Sequence, residues 1–129
     1  MKKGLLLAMT GLIILLAASG CGSGKVKVDD SMNGQTITVK SGEIIEVSLE
    51  GNPTTGYNWY AADLDVTILS QTGEADFKAG SALIGAGGVV TTQFVAGGPG
   101  TTTLTLEYKR AWETDVEPIQ VFTITVVVE

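Results

Sequence analysis

Fourteen carboxylates, one thiol and no imidazole are the groups from which this chain would have to build any reaction. Without His, neither a Ser/His/Asp nor a Cys/His nucleophile can be assembled, and a zinc site lacks its usual ligands. Carboxylate-pair hydrolysis stays open on paper, yet nothing in the spacing of the Asp and Glu residues singles out a pair. The polar chemistry gathers instead in an uncharged stretch, "GNPTTGYNWY" at 51–60, where two Thr stand between turn residues. Pro53 fixes its own φ and moves Asn52 toward an extended backbone; Gly56 permits positive φ, and Thr54 and Thr55 are stiff at χ1. A loop built this way loses little entropy on meeting a partner.

Two later stretches belong with it. "GAGG", Gly85, Ala86, Gly87 and Gly88, offers a backbone that another chain can approach edge to edge, or a plain flexible turn. "RAW", Arg110, Ala111 and Trp112, offers a guanidinium and an indole, two side chains frequent as interface anchors. The bland alternative leaves Arg110 in solvent and folds Trp112 onto the core.

The elements that must position these loops read as short strands, and no window has a convincing 3.6-residue period. In "EIIEVSLE", Ile45, Val47 and Leu49 alternate with Glu46, Ser48 and Glu50, the pattern of a strand with one buried face. "TTTLTLEYKR" sets Leu104, Leu106 and Tyr108 on one side, and "QTITVK", "YNWYAA", "DVTILS", "VVTTQFVA" and "IQVFTITVVV" complete the set. Residues 71–83 have no clear period and read as a longer connection. About seven strands in about 100 residues point to an all-β, immunoglobulin-like antiparallel β-sandwich, with a partly open barrel as the alternative. Trp59 falls on the third strand and is assigned to the core, and Tyr57 to the base of the loop. Alternate connections of a sandwich lie at the same end, which would bring 51–57, 84–88 and 109–117 together.

"NPTTGY" at 52–57, "GAGG" at 85–88 and "RAW" at 110–112 resemble, in order and spacing, the three loop signatures of the chagasin family of cysteine-protease inhibitors. The resemblance covers about residues 34–128. It implies a sandwich whose three loops form a wedge that plugs the active-site cleft of papain-like proteases reversibly, without cofactor or metal. The 52–57 loop would enter the catalytic centre, with Thr54 closest to the protease Cys/His pair. "GAGG" would lie along one wall through its backbone, and Arg110 and Trp112 would grip the other. The family usually has Pro where this chain has Ala111, a loss of about 0.4–1 kcal/mol of loop rigidity if the bound backbone suits Pro. A neutral loop enters a site holding a thiolate and an imidazolium without burying a charge of its own, while Asn52 and Thr54 bring amide and hydroxyl groups to it.

At the N-terminus, Lys2 and Lys3 precede an apolar run ending in small residues, the layout of an export signal over residues 1–20. Ala18, Ser19 and Gly20 before Cys21 resemble a bacterial lipoprotein processing box, with Ala18 where Leu is usual. The expectation is a lipid on Cys21, a flexible tether over 21–33 and an inhibitor domain over 34–129, held at a membrane; plain secretion with a free thiol is the alternative. Cleavage would remove two of eight basic residues and no acidic one, taking the net charge from −6 to −8. That acidity makes nucleic acid an unsuitable partner and keeps an exported monomer soluble. Two further function classes compete with the inhibitor: an adhesion or scaffold module using the same loops, and a carboxylate enzyme.

Overall fold

The computed structural model describes residues 24–129, so the export signal and Cys21 lie outside the described residues. Among the described residues nine strands form two sheets: β1 Lys25–Asp29, β2 Thr36–Val39, β3 Ile44–Gly51, β4 Tyr57–Ala62, β5 Leu69–Gln71, β6 Asp76–Ala79, β7 Gly88–Ala96, β8 Gly100–Arg110 and β9 Gln120–Val128. One sheet has the order β1-β3-β7-β5, with β6 also on β7; the other runs β2-β9-β8-β4. The expected immunoglobulin-like sandwich is therefore the fold, with more strands than the sequence suggested.

The long strands form because their period-2 patterns give each sheet one apolar face. Ile45, Val47 and Leu49 of β3 and Val90, Phe94 and Ala96 of β7 meet Leu104, Leu106 and Tyr108 of β8 and Phe122, Ile124, Val126 and Val128 of β9 in one core. Each fully buried Val, Ile, Leu or Phe contributes about 1.5–3 kcal/mol relative to exposure, and this core stands in for the disulfide that one Cys cannot make. Trp59 is in that core, as expected, with its indole N–H donated to the Glu50 carbonyl at 3.0 Å.

The tether over 21–33 needs correction. Residues 25–29 are a strand, β1, that pairs parallel with β3 from Lys25 opposite Ile44 to Asp29 opposite Ser48. Val28 is buried in the core, and Lys25 and Gln93 both bond the Glu46 carboxylate, at 3.4 and 2.8 Å. The domain thus begins before residue 34. The connection expected over 71–83 also contains structure, β6, which shares one edge of β7 with β5 just before it; β5 pairs with Phe94–Ala96 and β6 with Gly88–Thr91. "DVTILS" supplies only the start of β5, because residues 65–68 close a turn with Asp65 bonding the backbone of Thr67 and Ile68. β2 pairs parallel with β9, so both N-terminal strands depart from a purely antiparallel arrangement.

Strand directions define two poles. β3 and β8 run toward the pole where Gly51 lies opposite Gly88 and Arg110 opposite Tyr57. β1 begins at the other pole, where β9 also ends and the Glu129 N–H bonds the Val39 carbonyl. Eight residues of β3 separate the poles by about 26 Å.

Candidate functional site

The first loop is a single 3-10 turn, Pro53–Thr55, capped at both ends. Asn52 stands before it at φ −142° and ψ 85°, outside the helical region as a residue preceding Pro must be. Its side-chain oxygen accepts from the Thr54 N–H at 3.2 Å and from the Thr54 hydroxyl. The Asn52 carbonyl accepts from the Thr55 N–H at 3.1 Å and the Thr55 hydroxyl at 2.6 Å. Gly56, at φ 89°, closes the turn by donating to the Pro53 carbonyl at 2.9 Å. Thr54 and Thr55 are exposed at the tip.

Asn52 also joins this loop to the second loop and to β8. Its side-chain amide donates to the Gly85 carbonyl at 2.9 Å, and its backbone N–H donates to the Tyr108 hydroxyl at 2.8 Å. The amide expected to reach toward a partner is thereby engaged within the molecule, where it organises the loops. Gly87 lies alongside: a Cβ there would sit 3.4 Å from the Gly51 carbonyl oxygen.

Gly88 departs from the expectation of a backbone open to edge pairing. It is the first residue of β7, flanked by Gly51 of β3 and Ala79 of β6, so both its edges are taken. Its lack of a side chain serves that junction, since a Cβ would collide with the Lys78 carbonyl. Gly85 takes φ 79°, the left-handed backbone that glycine adopts freely. Just before it, Leu83 and Ile84 are 77% and 104% exposed, a bare apolar pair on the same pole. The sequence signal was present, two bulky side chains in an otherwise Gly, Ser and Ala stretch, but they lack the alternation that marks a strand.

Arg110 ends β8 directly opposite Tyr57. Its guanidinium lies 4.4 Å from the centre of the Tyr57 ring and 5.9 Å from that of Trp112. Nε donates to the Thr55 carbonyl at 3.1 Å and one Nη to the Glu113 carboxylate at 3.4 Å. Neither bland alternative holds: Arg110 is drawn onto the first loop, and Trp112 stands 67% exposed with its ring over Gly56, where a Cβ would collide with it. Tyr57 does brace the loop base. It stacks on Tyr108 at 5.4 Å, and Tyr108 in turn meets Trp59 at 4.9 Å, so an aromatic column runs from the core to Arg110.

Asn52 to Tyr57, Gly85 to Gly88 and Arg110 to Trp112 thus occupy one pole as neighbours, with Leu83 and Ile84 beside them. The first two stretches have no ionisable side chain except the Tyr57 phenol, and the Arg110 charge is matched by Glu113. Among the described residues no cluster of three or more Cys, Asp or Glu side chains is placed to hold a metal ion. The surface has the chemistry of contact rather than of reaction: hydroxyls, backbone groups and apolar side chains held in place from below.

Comparison with known proteins bears on what it contacts. The family described as chagasin family peptidase inhibitor I42 matches residues 38–126. Chagasin of Trypanosoma cruzi is 32% identical over 102 residues, spanning 76% of this chain and 93% of its own length. Amoebiasin-1 of Entamoeba histolytica is 35% identical over 89 residues, 67% of this chain and 84% of its own. The crystal structure of the cysteine protease inhibitor EhICP2 from Entamoeba histolytica superposes with a TM-score of 0.74 at 26% identity, covering 85% of this chain and 100% of that one.

Proposed function

The chain belongs to the chagasin family of cysteine-protease inhibitors, and on that premise we propose that its loop pole is a reversible plug for the active-site cleft of papain-like proteases. No bond is made or broken. In this reading Thr54 and Thr55 approach the catalytic Cys/His pair, Leu83, Ile84 and the Gly85–Gly87 backbone line one wall, and Trp112 packs on the other. Asn52, Pro53, Gly56, Tyr57, Gly88 and Arg110 hold those groups in position, and Ala111 completes the turn that presents Trp112.

The observation that supports it most is the hydrogen bonding of the tip. Stretches far apart in sequence are joined by Asn52 and Arg110 into one firm surface, so little conformational entropy is lost on docking. An uncharged tip can also be desolvated beside a thiolate and an imidazolium without a large penalty. The purified domain is expected to titrate papain activity while staying intact on a gel. Full protease activity at a large molar excess would return the same loops to the adhesion or scaffold reading.

For localisation we infer export with a lipid on Cys21. The single Cys of the chain directly follows a small-residue box and precedes β1 by four residues. Cells fed radioactive fatty acid should label the wild-type protein, and label retained by Cys21→Ser would contradict the assignment.

A further inference from the structure

Trp112 is an exposed indole on a short turn, and something must fix its direction. The Glu113 N–H donates to the Arg110 carbonyl at 3.1 Å, so residues 110–113 make a β-turn with Ala111 and Trp112 at its centre. The same two residues are joined again through their side chains at 3.4 Å. Thr55 takes Nε of Arg110, and Tyr57 takes one face of the guanidinium. Glu113 is the carboxylate that balances it, and both side chains are only about one-third exposed, at 33% and 29%.

Resting on the reading of 110–112 as protease-binding, we propose that Glu113 is a positioning residue of the inhibitory surface. Its carboxylate clasps the Arg110 guanidinium against Tyr57 and Trp112, and so sets the direction in which the indole is presented. The turn has no ring to stiffen it, because its first central residue is Ala111. The clasp supplies the constraint that a Pro at that position would give. A Pro would fit: Arg110 ends a strand in the extended backbone that suits a residue before Pro, and Ala111 is exposed.

The test compares Glu113→Gln, Ala111→Pro, the double variant and Asp115→Asn in papain inhibition, with 15N relaxation of the Arg110 Nε and Trp112 Nε1 groups in the free inhibitor. Asp115 is an exposed carboxylate on the same loop with no cation in ion-pair range among the described residues. E113Q should raise the inhibition constant about two- to fivefold, as expected for a partly exposed pair, and increase motion at both nitrogens. Adding A111P should recover most of that loss, and D115N should change neither readout. Equal effects of E113Q and D115N would reduce the role to net charge and overturn the proposal. Unchanged relaxation in E113Q would overturn it too, whether or not papain is inhibited. If the wild-type domain fails to inhibit papain while E113Q still loosens both nitrogens, the clasp stands and only the reading of the loops as protease-binding falls.

Discussion

The first and third loops meet at one pole but are held there by different means. Residues 52–56 are stiffened from within: one Asn side chain caps the turn, a Gly closes it, and both Thr hydroxyls are bonded to Asn52. Residues 110–112 have little of their own beyond one turn hydrogen bond, and depend on stacking against Tyr57 and Gly56 and on Glu113. A loop that is its own scaffold can present short polar groups accurately. A loop that leans on its neighbour presents one large side chain, whose position is only as good as the neighbour's. On the proposed reading, the first would enter the catalytic centre and the second would pack on a wall of the cleft.

Substitutions can break this contrast, beginning with the tip. Thr54→Glu is expected to weaken papain inhibition by about 3 kcal/mol, because a carboxylate would be buried beside a thiolate, with the urea midpoint of the free domain lowered only by the loss of the Thr54 hydroxyl's bond to Asn52. An unaltered inhibition constant would mean that residue 54 does not face the catalytic pair. Trp112→Ala should weaken binding by about 2 kcal/mol and change the melting temperature little, since the indole is 67% exposed and covers only Gly56 and one side of Arg110. A loss below a few tenths would remove it from the interface.

Asn52→Ala sharpens the comparison differently, because it should affect the fold as well as the contact. Losing the cap and the bond to Gly85 is expected to destabilise the free domain by about 1 kcal/mol, seen as a melting temperature lower by about 4 °C or more. If only inhibition changed, Asn52 would be a contact residue after all.

The smallest effect lies away from both loops. The bond from Gln93, then the nearby Lys25, holds the Glu46 carboxyl below its usual titration range, and Ser31 does the same for Asp29. Both values are depressed in the folded state, so the stabilisation is complete above the unfolded value and is lost as pH falls through the folded one. The urea midpoint should therefore drop between pH 6 and pH 3, and less so in Glu46→Gln.

Much of the fold was legible because the long strands alternate cleanly, and Ile45, Val47, Leu49, Leu104 and Leu106 face inward as their spacing requires. β1 escaped notice because "KVKVD" has two apolar residues among charges, and only its register against β3 gives them a core to enter. β6 has Phe77 alone as an apolar anchor, too little for a periodic signal. At the site, the turn chemistry of Asn52, Pro53 and Gly56 was readable, since it is local. That the Asn52 amide would be engaged by Gly85 was not, because the partner lies 33 residues away and only the pairing of β3 with β7 brings it near. Arg110 is a similar case: its place over Tyr57 follows from the β4–β8 register, not from "RAW" itself.

The parallel entry of β1 and the outward run of β9 leave the start of β1 and the end of β9 at the pole remote from the loops. Anything grafted there, whether an acyl chain, a fusion partner or a bead, hangs behind the working tip by roughly the length of a strand, about 26 Å. Copies fixed to a flat support close to the start of β1 or the end of β9 would stand with their tips outward. Crowding on that support would then raise the density of blocking tips without hiding them.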